Sequence, residues 1–195
     1  MHRDEQLVEQ FVATFAAWDD CEVDEEWDPA AAMLAVGEPD QYGNRRWLPR
    51  KVQTDPGRLQ EIYARLPARF PPLYERLVLS YRWAEVDLDR FRLFANPPGE
   101  NLQGLFNEMT NDAFLSQHLL KAGYIPFGKG PDYDYDPVCF DLSARKQNAE
   151  YRIVKLDHEE ILCFSRTKIV AELAPTFRAL VEETIERARR KGKSD

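Results

Sequence analysis

From residue 124 onward the chain changes character, and this change constrains the fold more than any other feature. Tyr124-Ile125-Pro126-Phe127-Gly128, Val138-Cys139-Phe140-Asp141-Leu142 and Tyr151-Arg152-Ile153-Val154-Lys155-Leu156 are short apolar or alternating runs. Ile161-Leu162-Cys163-Phe164 and Lys168-Ile169-Val170-Ala171 continue the series. Turn-forming residues separate the runs at short intervals, which is the pattern of strands joined in an antiparallel meander. An amphipathic segment follows, from about Phe177 to Arg190. Its Phe177, Leu180, Val181, Ile185 and Ala188 recur at helical spacing and form one apolar stripe. The expected class is therefore α+β: a mixed or mainly antiparallel sheet over residues ~124–171, flanked by helices, with a C-terminal helix packed on it.

The first half reads mainly as helices and turns. Leu7, Val8, Phe11, Val12, Phe15 and Trp18 lie three and four apart, on one helical face. Seven carboxylates then fall between Asp19 and Asp28. Asp28-Pro29 has the form of an N-cap followed by proline at the first helical position, opening a short helix through Ala30, Met33 and Leu34 to about Val36. Residues 37–57 are rich in turn formers, with Gly37, Pro39, Gly43, Asn44, Pro49, Pro56 and Gly57, and a short strand is expected near Trp47 or Val52. This irregular stretch divides an N-terminal helical and acidic extension (1–57) from the main domain (58–190), which a basic tail (191–195) follows.

Within the main domain a helix over 58–65 stops at Leu66-Pro67, because the residue before proline avoids helical torsions. Pro71-Pro72 opens another, with Leu73, Leu77 and Val78 at helical spacing. Trp83 to Phe94 reads as strand with a turn near Asp89, Asn96 to Gly99 as a loop, and 102–109 and 112–121 as helices.

Composition narrows the function. The 195 residues carry a formal charge of −8, which argues against broad neutralisation of nucleic-acid phosphates and favours a basic partner. The cysteines, Cys21, Cys139 and Cys163, are odd in number and widely spaced, so neither a disulfide framework nor a zinc knuckle is expected. The N-terminus lacks a signal-peptide pattern, and no apolar run approaches the ~20 residues of a membrane span. A soluble cytoplasmic protein is the expectation, with no nucleic-acid or membrane partner.

The order of motifs resembles the SUKH superfamily, which includes fungal Smi/Knr-like cell-wall regulators and many bacterial immunity proteins. The residues that carry the resemblance are Leu66-Pro67 with Pro72 and Tyr74, then Ile125-Pro126-Phe127-Gly128, then Asp136-Pro137-Val138-Cys139-Phe140-Asp141. Asp157-His158-Glu159 and a last helix opened by Phe177 complete it, over about residues 59–186. The resemblance implies an α+β fold and recognition of another protein, in bacteria often a toxin domain inhibited by covering its active surface. A cytoplasmic regulator or scaffold without a toxin is the alternative. Residues 1–57 lie outside the match.

Several clusters invite a chemical reading. Asp132, Asp134 and Asp136 alternate with Tyr133 and Tyr135, as oxygen ligands do at the start of a calcium loop. Such a loop then needs glycine and glutamate where this chain has Pro137 and Ser143, so calcium is not expected. A solvated loop and a partner-binding patch, with the tyrosines as anchors, both remain open. Asp157-His158-Glu159 reads as a turn bonding to local backbone rather than a metal site. Cys139 and Cys163 read as small buried hydrophobes in strands. A hydrolase using Cys139 and His158 is the least favoured reading, and no cofactor motif occurs. Arg187, Arg189, Arg190, Lys191 and Lys193 complement a helix C-terminus. The partner-binding residues expected are Asp132, Tyr133, Asp134, Tyr135 and Asp136, with Glu22 to Asp28 as additional candidates, and no enzymatic role, cofactor or metal.

Overall fold

A computed structural model of the chain describes residues 3–17, 22–23, 32–99, 101–144 and 149–191. Helix α1 (Arg3–Ala16) opens it and buries Val8, Phe11, Val12 and Phe15. Two-residue strands β1 (Glu22–Val23) and β2 (Ala35–Val36) flank β3 (Arg45–Trp47) in a small antiparallel sheet. The helix expected to reach Val36 thus gives way to a strand, because Ala35 and Val36 pair with Trp47 and Arg46. Trp18, the acidic run from Asp19 to Asp28 (apart from Glu22 and Val23) and the Asp28-Pro29 cap lie outside the described residues, as does the tail beyond Lys191.

Strand β4 (Arg50–Lys51) pairs with β5 (Tyr81–Arg82). Helix α2 (Arg58–Tyr63) lies between them, and α3 (Pro72–Ser80) begins with proline at its first position, where the missing amide costs nothing. The hairpin β6 (Val86–Asp87) and β7 (Arg92–Leu93) follows, with Asp89 in its turn at φ 72°. Helices α4 (Gln103–Thr110) and α5 (Ala113–Lys121) intervene before β8 (Tyr124–Lys129) and β9 (Pro137–Asp141). Then come β10 (Arg152–Leu156), α6 (His158–Phe164), β11 (Ile169–Ala174) and α7 (Phe177–Lys191).

The main sheet has six strands in the order β11-β10-β9-β8-β7-β6, every pair antiparallel. Alternation along the strands sends side chains to two cores. On one face Phe127 and Phe140 stack with centroids 4.2 Å apart; Phe177 of α7 meets both edge-on, and Tyr74 of α3 meets Phe140 edge-on. This core runs on without a break to Val8, Phe11, Phe15 and Trp47, and α1 packs against α3 and α7. The helix of the N-terminal segment thus shares one core with residues 58–190. On the other face Cys139, Val154 and Leu156 pack with Leu119 of α5 and Ile161 of α6. Gly128 is the point of closest approach of β7 and β8: a Cβ there would collide with the Arg92 carbonyl.

One element departs from expectation. Ile161-Leu162-Cys163-Phe164 is the body of a helix, not a strand. The Asp157 carboxylate caps it, accepting from the Glu160 amide at 3.1 Å, and Ser165 stops it at φ 52°. Cys163 is consequently exposed, while Cys139 is buried as expected. On α7, Thr184 is buried and Ala188 only half so.

Candidate partner-binding face

The loop between β8 and β9 carries the five residues singled out above. It is built by backbone hydrogen bonds together with carboxylates that accept from nearby amides. The Gly130 amide donates to the Asp136 carbonyl at 2.9 Å, closing the loop at its base. The Asp134 amide donates to the Pro131 carbonyl at 2.9 Å, and the Asp136 amide donates to the Asp134 carboxylate at 2.9 Å. Asp132 takes φ 50°, a torsion that aspartate tolerates better than most residues, and its amide donates to Asp87 at 3.0 Å.

Two carboxylates then fasten the loop to the rest of the molecule. Asp134 pairs with Lys155 of β10 at 2.6 Å. Burial would raise the Asp134 carboxyl, but the Lys155 hydrogen bond and the Asp136 amide outweigh it and hold the group below its ordinary range. Asp136 accepts the His158 amide at 2.9 Å at the start of α6, and the ring Nδ1 lies 2.7 Å from the same oxygen, where it donates when it carries the proton. The Asp134 carboxylate occupies the space beside Gly130 that a Cβ would need, so this glycine is required by proximity.

The structure therefore brings the five residues together but divides them by task. Asp134 and Asp136 are braces. Asp132, Tyr133 and Tyr135 face outward, the tyrosines 89% and 60% exposed. Tyr135 also meets the His158 ring edge-on, 6.2 Å between centroids.

Beside the loop lies a cleft of about 450 Å³ that no spacing in the sequence signals. Met109, Leu115, Leu119 and Pro126 give it an apolar lining, and Glu108, Asp112, Lys129, Tyr135 and His158 bring polar groups to it. It forms because α4, α5 and α6 converge on the sheet from separate parts of the chain. Leu162 of α6 lines it and Phe114 begins the adjoining turn of α5, both exposed.

The cleft does not include Cys139. That thiol is wholly buried, and desolvation, with the Asp141 carboxylate nearby, pushes its pKa well above the ordinary thiol value. A buried neutral thiol is the opposite of an activated nucleophile. Among the described residues no three His, Cys, Asp or Glu side chains group as a metal ion would require. Comparison with known proteins found no matching family model and no matching curated protein. No helix among the described residues is long and apolar enough to cross a membrane.

Proposed function

We propose that the protein is a non-enzymatic binding module of the SUKH type, most simply an immunity protein that neutralises a basic toxin domain by covering its active surface. One observation carries the reading: Tyr133 and Tyr135 stand in solvent on a loop that the side chains of Asp134 and Asp136 hold still. Exposed aromatics on a braced loop offer large contact area with little left to freeze on binding. The apolar cleft beside them suits a partner side chain, and net −8 with Asp132 at the loop tip steers a basic surface inward.

Tagged protein recovered from its host is expected to hold one basic protein in fixed stoichiometry. Purified, that partner should lose its toxicity or nuclease-like activity when the complex forms. Tyr133→Ala with Tyr135→Ala should weaken binding by about 2 kcal/mol or more, the scale of aromatic hot spots. Undiminished binding by the double variant retires this face. Recovery of many clients, none inhibited, would favour the regulatory or scaffold alternative.

A further inference from the structure

The cleft between α4, α5 and α6 has an apolar floor, and its polar groups accept more than they donate. Met109, Leu115 and Leu119 make the floor, and Glu108 and Asp112 bring carboxylates to the lining. The charge of Lys129 is matched by Glu85 at 3.0 Å, a residue outside the lining. Helix starts ordinarily attract anions, but both that meet here are already capped. Asp112 accepts the Leu115 amide at 2.9 Å at the start of α5, and Asp157 and Asp136 take amides at the start of α6. Asp112 is exposed at the rim and pairs with no cation among the described residues.

His158 adds a further acceptor. Its Nδ1 lies 2.7 Å from the Asp136 carboxylate, which can only accept, so in the neutral ring Nδ1 carries the proton and Nε2 keeps a lone pair. Tyr135 crosses the same ring edge-on. An apolar floor ringed by acceptors suits a ligand with an aliphatic stem and a cationic, hydrogen-bond-donating head. The acceptors sit on separate elements: Asp112 at the start of α5, Tyr135 on the β8–β9 loop and His158 at the start of α6. An ammonium is a point charge, whereas a guanidinium spreads five donors over a plane and lies against aromatic rings. We infer that the cleft is a socket for one arginine side chain of the partner, its methylene stem on Met109, Leu115 and Leu119 and its guanidinium turned to Asp112 and His158. This rests on the reading of the face as a binding surface and names what enters it.

The probe is n-pentylguanidinium, which carries stem and head without a partner protein. Titrated into the isotope-labelled full chain, it is expected to give saturable shifts in the amide resonances of Leu115, Leu119 and His158. Methylguanidinium lacks the stem, n-pentanol lacks the charge and n-pentylammonium lacks the planar fork. Each should bind at least about threefold more weakly, the scale of a modest charged contact. Asp112→Asn keeps a side chain that caps α5 but removes the charge. It should weaken n-pentylguanidinium by about threefold and leave the n-pentanol response unchanged. No saturable shift, shifts scattered over the acidic surface, a control probe binding as tightly as n-pentylguanidinium, or full affinity in Asp112→Asn would each overturn the inference. The Tyr133 and Tyr135 double variant tests the binding face itself with the natural partner, so the two readings fail separately.

Discussion

Asp141 is the most consequential buried charge. Its side chain is wholly shielded, and it accepts from the Ser143 hydroxyl at 2.6 Å, the Ser143 amide at 2.9 Å and the Arg152 guanidinium. Burial raises the carboxyl, but these donors more than offset it, so the group sits below the usual carboxylate range. The unfolded chain therefore binds this proton more readily than the fold does. The resulting stability is complete above about pH 5 and is lost as pH falls below the unfolded value near 4 and on through the folded one. Asp141→Asn should destabilise by about 3 kcal/mol at pH 7, because it strands Arg152 and the Ser143 donors. Chemical denaturation should find that gap narrowing steadily toward pH 2. Sequence placed Asp141 in a strand, but its burial follows from pairing with Arg152 across β9 and β10, a contact between separate runs.

At the level of elements, alternation and turn residues located β8, β9, β10 and β11, the hairpin turn at Asp89 and the helices from residue 58 onward other than α6. They failed at Ile161-Leu162-Cys163-Phe164, where four apolar residues fit a strand or a helix equally well. The deciding signal was the aspartate three positions before a glutamate, Asp157 and Glu160, the pattern of a capped helix start. Asp157→Ala should therefore cost about 1 kcal/mol, in part by loosening α6, read as faster amide exchange along it. Ser165→Gly should act oppositely, gaining up to about 1 kcal/mol, since glycine takes the positive φ of the helix stop without penalty. Gly128→Ala should be the costliest small change in the sheet. Its methyl group would press on the backbone of β7 rather than on a side chain able to yield. Reduced thermal stability with a retained strand signature in circular dichroism would check this.

Across the whole molecule the sheet class and the closing helix were legible, because both follow from periodicity within single segments. The cleft was not, since it is assembled from α4, α5, α6 and the sheet, and neither were the separate tasks of the five loop residues. The irregular composition of 37–57 marks a boundary in sequence, yet α1 reaches past it to α3 and α7, and Asp4 pairs with Arg178 at 2.8 Å. A chain beginning at residue 58 should accordingly expose the surface that Val8, Phe11, Val12 and Phe15 cover. Dye binding to exposed apolar surface, together with a broadened unfolding transition, would reveal it.

The burial of Cys139 between the sheet and the α5–α6 layer also gives the molecule an internal clock. Cys163 stands in solvent and should react with an aromatic disulfide reagent within the mixing time. Cys139 can react only when α5 and α6 lift from the strands beneath them. With Cys21 and Cys163 replaced by serine, the slow labelling rate divided by that of a free thiol measures the population of that opened state. If the layer over Cys139 opens independently of the aromatic core on the opposite face, labelling will outpace global unfolding. If the two faces melt together, the rates will coincide at every denaturant concentration.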